Sequence, residues 1–222
     1  MSLFPVFGFV NPAVLTYGSV NTSATDGGGI QLSFPSMSLG GAASADRYVF
    51  ASIAVSGATG IATAAGSIGG ISATLRAYVD DGSGDGIMIF NAKVPTGTTG
   101  TVVVQLTDIG SAARAHCFTY SAVNLQGGAA TASTSDTSES ADALDGTITV
   151  PDGGFVLGHA MNMATGSRTW TWTNLTESAE TGSYSSGRSG SIAYSTTAGE
   201  ALRTATADGG ISNDALLLTA WR

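Results

Sequence analysis

Apolar and polar residues alternate along most of this chain with a period of two, and Gly, Asp, Asn or Pro break the alternation at short intervals. The segment Arg47 to Val55 would place Tyr48, Phe50, Ser52 and Ala54 on one side and Val49, Ala51, Ile53 and Val55 on the other. Comparable runs predict strands at Ser72–Val79, Gly86–Val94, Thr101–Leu106, Ala113–Val123 and Gly146–Val150. Further runs follow at Phe155–Met163, Arg168–Thr173, Ser191–Tyr194, Ala201–Ala207 and Ala215–Trp221. Turn clusters separate them, among them Asp80 to Gly86, Pro95-Thr96-Gly97, Asp152-Gly153-Gly154 and Asp208-Gly209-Gly210. No long window keeps the three- and four-residue spacing of a helix. The pattern predicts an all-β fold: a single jelly-roll-like β-sandwich of about ten to twelve strands with an extended N-terminal arm.

Ala129 to Gly146 is small, polar and acidic, and reads as an exposed loop; its alternating Thr and Ser also suit an edge strand. The order of strand types in Arg47–Val123 recurs in Gly154–Trp221, which either a duplication or two packed sheets would produce. No composition shift divides the chain, so one sandwich domain (13–222) behind an arm (1–12) is expected.

Composition narrows the setting. Only 24 of 222 residues are charged, 11%, where an ordinary soluble domain has roughly 25%. Small residues fill the gap, with 31 Gly, 27 Ser and 28 Thr. Such a surface loses little side-chain entropy when a neighbour covers it. The net charge is −8, with Lys93 the one lysine and seven scattered arginines, so no basic groove for nucleic acid is expected. The apolar N-terminus lacks a preceding Lys or Arg and is interrupted by Pro5 and Gly8, which makes a poor signal peptide. It is also shorter than the ~20 residues a membrane-spanning helix needs, so no membrane partner is expected.

Candidate chemistry is sparse. Asp80, Asp81 and Asp85 sit in a Gly-rich turn without the closing Glu of a calcium loop, and a hairpin turn accounts for them. His116 and His159 lie inside apolar strand patterns and are read as satisfied strand histidines, too few for a metal site. Cys117 follows His116 directly, so the two face opposite sides of one strand and cannot activate each other. It is read as a buried small hydrophobe. Glu139, Glu177, Glu180 and Glu200 lie in Ser/Thr/Gly-rich surroundings that do not suggest a glycosidase pair. Trp170 and Trp172 share one strand face; core or interface is the ordinary role, and a sugar-stacking platform is the alternative. No nucleophile elbow or phosphate loop occurs. Neither enzymatic activity, cofactor nor metal is expected.

One constellation stands out. Leu3, Phe4, Val6, Phe7, Phe9 and Val10 cannot form a helix around Pro5 and Gly8, and in water they would be an exposed apolar patch. Either the arm folds back on its own sandwich, or it docks on a neighbouring subunit. Val94 to Val104, Thr169 to Glu177 and the closing strand Ala215–Trp221 resemble segments of bacteriophage virion structural proteins. That resemblance spans about Asp46 to Arg222. It implies a β-sandwich attached to a capsid or tail, without catalytic residues. The expected role is therefore a capsid cement or decoration subunit on the outside of the phage head. Its partners would be the major capsid protein or other virion subunits, in a homo-oligomer with a trimer favoured. A tail-associated host-recognition subunit is the runner-up.

Overall fold

The computed structural model describes residues 11–24, 29–138, 143–162, 168–181, 189–207 and 214–222. Its first part contains β1 (Val14–Ala24), β2 (Gly29–Ser38), β3 (Tyr48–Thr59), β4 (Ala65–Ile68), β5 (Ile71–Asp80), β6 (Gly86–Lys93) and β7 (Thr99–Val123). The second contains β8 (Ala132–Ser138), β9 (Leu144–Val150), β10 (Phe155–Asn162), β11 (Trp170–Thr173), β12 (Thr176–Thr181), β13 (Ser189–Ser195), β14 (Gly199–Ala207) and β15 (Asp214–Trp221). A single 3-10 turn, Ile61–Thr63, is the only helical element among the described residues.

These fifteen strands exceed the ten to twelve expected. The strands not anticipated (β1, β2, β4 and β12) are short or mostly polar. Main-chain ladders define them more than apolar alternation does. The Ala129–Gly146 segment supplies an edge strand, β8, hydrogen-bonded to β15, rather than only a loop. Its Ser, Thr and Asp side chains suit an edge, where apolar residues would invite further pairing. Thr101–Leu106 and Ala113–Val123 are one strand, β7, because the main chain stays extended through Ile109–Ala113. Opposite that stretch the β3 register slips between Ser56 and Ala58, where Gly57 takes a φ of 75° that other residues rarely adopt.

Strand pairing shows one scheme used twice. The second half of β7 lies between β1 and β3, with β6 beyond β3. Its first half lies between β2 and β4, with β5 beyond β4. Two sheets therefore face each other, with β7 passing from one to the other, and β5 also bonds β6 and closes the edge. In the second part β15 lies between β8 and β10, with β13 beyond β10. Likewise β14 lies between β9 and β11. Strand for strand, β8 to β13 take the places of β1 to β6, and β14 and β15 take those of the two halves of β7. Each unit has the eight-strand, antiparallel, two-sheet order of a jelly roll. The fold is all-β and of jelly-roll order as expected, but it is not the single sandwich over 13–222 that the sequence suggests. The roll is built twice in tandem, because the described strands pair only within β1–β7 and within β8–β15.

Three apolar layers hold the pair together. Leu32, Phe34, Val49, Ile53, Phe90 and Val104 fill the first roll, and Leu144, Ile148, Val156, Trp170, Leu216 and Leu218 fill the second. Between the rolls, Phe50, Ile89, Phe118 and Tyr120 meet Phe155, Leu157, Leu217 and Trp221. Phe50 packs edge-on against Trp221 at 4.8 Å and against Phe155 at 5.5 Å between ring centroids. The sheets that meet at this seam are covered on both faces. That is why β6, β10 and β15 are buried and mostly apolar along nearly their whole length, while β9, open to solvent on one face, alternates strictly.

One end of the first roll is latched by Arg47, which is fully buried. Its Nε donates to the Val94 carbonyl, Nη1 to Gly41, and Nη2 to Thr96 and Gly97, at 2.7–2.9 Å. Among the described residues no carboxylate pairs with it, so carbonyl dipoles solvate the buried charge, and burial lowers its pKa.

Candidate functional site

The six apolar arm residues Leu3, Phe4, Val6, Phe7, Phe9 and Val10 lie outside the described residues. The root of the arm is described, and it sits on the seam. Asn124 Nδ2, just past β7, donates to the Pro12 carbonyl at 3.2 Å, and Ala13 N donates to the Gly153 carbonyl of the β9–β10 turn at 2.8 Å. One bond comes from each side of the junction, so the chain is gripped where it enters β1. Beside the root opens a cavity of about 360 Å³ lined by Val14, Thr16, Gly41 to Ser44, Ser121 and Val123, with Asp46 its only charge. Val14 is half exposed there.

The acidic turn is a hairpin connection. Asp80 accepts from Gly82 N, and Asp81 accepts from Ser83 N, Ser83 Oγ and Asp85 N. Asp85 accepts from Gly57 N at 2.8 Å and so ties the turn to the bend in β3. The carboxylates bind their own backbone, as turn residues do. Among the described residues no group of three or more His, Cys, Asp and Glu is placed to hold a metal.

His116 and His159 meet across the seam, which single-strand reasoning could not foresee because they come from β7 and β10 of different rolls. Their Nε2 atoms lie 2.7 Å apart, and His159 Nδ1 lies 2.6 Å from Ser52 Oγ on β3. Both rings are buried, and both set their edges against Phe118 at 5.1–5.3 Å. One proton between the two Nε2 atoms satisfies the pair when both imidazoles are neutral. Burial pulls the His116 pKa down to about 3; burial, and then His116, holds His159 well below its ordinary 6.5. Cys117 faces the other way, into the core of the first roll, and burial raises its thiol pKa. The alternation expected between His116 and Cys117 holds, and His159 does not reach the thiol. The chain Ser52–His159–His116 clasps the two rolls together.

The clasp needs a glycine opposite it. A Cβ at Gly190 on β13 would overlap the His116 ring and stand 3.1 Å from the Ala160 carbonyl. Gly190→Ala should lower unfolding free energy by about 2 kcal/mol, the cost of one overpacked methyl. Urea denaturation checks this, and an unchanged midpoint would show that the seam gives way freely.

Trp170 and Trp172 do share one face, and that face points inward. Trp170 is only 3% exposed, while Trp172 packs half-buried on the same core. Trp172 Nε1 donates to Ser191 Oγ at 2.9 Å, and that hydroxyl donates to Glu177. Trp170 offers no open stacking surface, and Trp172 is only partly exposed. Glu177 is thereby committed, Glu180 lies on β12, Glu200 is exposed at the start of β14, and Glu139 lies outside the described residues. No helix among the described residues is long and apolar enough to cross a membrane.

No family model matches the chain, and no curated protein matches it in sequence. Among solved structures it is compared with the turret protein A223 of Sulfolobus turreted icosahedral virus at 11% identity and a TM-score of 0.24. That comparison covers 94% of this chain and all of the other. A second comparison, with the structure of infectious bursal disease virus Gx strain, has 10% identity and a TM-score of 0.14. It covers all of this chain and 79% of the other. Likeness at this level carries no weight on fold or role.

Proposed function

We propose that the protein is a non-enzymatic structural subunit of a virion, a cement or decoration protein seated on the outside of a phage head. The observation that carries this reading is the arm: six large apolar side chains in a segment whose root is gripped at the junction of the two rolls. A strap held at its base and apolar along its length is suited to lie across neighbouring shell subunits, the major capsid protein among them. Burying six such side chains contributes on the order of 5–10 kcal/mol before ordering costs. The charge-poor body, residues 13–222, supports close packing with copies of itself, and a closed trimer is the arrangement proposed. The resemblance of Val94 to Val104 and Thr169 to Glu177 to phage virion segments agrees with the same setting.

The runner-up, a tail-associated host-recognition subunit, loses its tryptophan platform because Trp170 is covered. Deleting residues 1–10 separates the two. The truncated protein is expected to fold with an unchanged circular dichroism spectrum and to lose head binding by at least about a hundred-fold. Undiminished attachment, or attachment confined to tails, would overturn the cement role.

A further inference from the structure

The two rolls close their corresponding ends differently. In the first, Arg47 spends Nε, Nη1 and Nη2 on four carbonyls and ties the β2–β3 connection to the β6–β7 connection. The equivalent end of the second roll, at the β11–β12 and β13–β14 connections, is open, with a cavity of about 370 Å³. An arginine stands here too. Arg203 on β14 turns into the roll with Ala205 and Ala207 and is 2% exposed. Only its Nη1 is engaged, with the carbonyls of Ile148 at 2.6 Å and Ala201 at 2.9 Å. Nε is buried and donates to nothing, and no described carboxylate pairs with the guanidinium. A buried cation with unused donors at the bottom of a cavity favours an anion there.

The rest of the lining narrows the anion. Thr176, Ser195 and Thr197 bring hydroxyls, Leu175 brings an apolar wall, and Glu200 brings a carboxylate. A second negative charge in the mouth disfavours a dianion such as phosphate, yet Glu200 is a strong acceptor for ligand hydroxyls. A group with one carboxylate and several hydroxyls matches both ends. The cavity falls within the ordinary size range of small-molecule sites.

We propose that this mouth binds a carboxylated sugar, with the carboxylate on the Arg203 guanidinium at Nη2, which serves no acceptor among the described residues, and the hydroxyls on Glu200 and the Ser/Thr rim. The site does not depend on the virion role, and it places sugar recognition at the sandwich end instead of on the tryptophans.

The test titrates glucuronate and N-acetylneuraminate separately into the full-length protein and follows backbone amide NMR shifts in residues 195–201. Glucose and acetate serve as controls. Saturable binding of at least one sugar acid is expected, about ten-fold or more tighter than either control. Which of the two binds identifies the source of the carboxylate. Arg203→Lys should weaken binding by about ten- to a hundred-fold, the effect of losing a charge-assisted contact with fixed geometry. Ala198→Trp, on the exposed β13–β14 turn, fills the mouth without altering the guanidinium, and it should abolish binding while the thermal midpoint holds. It decides the matter if Arg203→Lys does not fold. Absence of saturable binding, acetate binding as tightly as the sugar acids, or binding that survives Ala198→Trp would each overturn the proposal. So would sedimentation showing self-association that Arg203→Gln abolishes, since the anion would then be a neighbouring subunit's carboxylate.

Discussion

Replacing Arg47 by Met is expected to cost about 3–5 kcal/mol and to lower the thermal midpoint by about 10 °C. The methionine keeps the apolar stem, so packing changes little. What disappears is the set of donors serving the carbonyls of Val94, Gly41, Thr96 and Gly97. Those carbonyls would be left without their partner, the Val94 carbonyl in a fully buried bond and the others partly buried, and each unsatisfied buried acceptor carries a desolvation cost. The β2–β3 and β6–β7 connections should loosen together, because one side chain spans both. Arg47→Lys should recover only part of the loss, since a single ammonium cannot reach four acceptors around a planar fork. Differential scanning calorimetry measures both variants. A midpoint for Arg47→Met within about 2 °C of the parent would mean that packing alone holds the loops.

Acid should unfold this protein well before its carboxylates alone would require. The two seam histidines are neutral in the folded state, with His116 near 3 and His159 well below its ordinary value, whereas the unfolded chain holds both near 6.5. A lowered histidine pKa means that the unfolded state binds protons first. Their contribution is therefore complete above about pH 6.5 and shrinks as pH falls from there toward 3. The slope is about 1.4 kcal/mol per pH unit for a fully shifted histidine, so His116 alone removes about 2–3 kcal/mol by pH 4.5, and His159 adds to the loss in the same direction. Urea unfolding at pH 7.5 and 4.5 reads the loss. The imidazole Cε1 proton resonances give an independent check: in the folded protein neither should titrate near 6.5, and a midpoint there for either ring would refute the buried neutral pair.

Much of this architecture was legible in the residues. Period-two alternation marked the strands with strong apolar faces, Gly and Asp marked the hairpin at Asp80 to Gly86, and alternation correctly turned Cys117 away from His116. Outer strands such as β1 and β12 leave little trace in the sequence because ladder hydrogen bonds, more than side-chain burial, keep them in place, while β8 is legible only as one of two readings of Ala129–Gly146. Of the candidate residues, the acidic turn and the tryptophan pair took the ordinary roles expected of them. Arg203 was passed over because a lone arginine in a Thr/Ala strand carries no signal of its own.

Composition and periodicity by themselves determined an all-β chain of jelly-roll character, poor in charge and led by an apolar arm, because strand patterning and turn chemistry are local properties. Tertiary structure decided that the roll is built twice, that the two rolls share a doubly buried seam, and that His116 finds His159 there. It also decided that one buried arginine is bonded at all three of its nitrogens while the other is engaged at one. Those outcomes depend on which residues from distant strands come within hydrogen-bonding reach, and nothing in the spacing along a single strand records that distance.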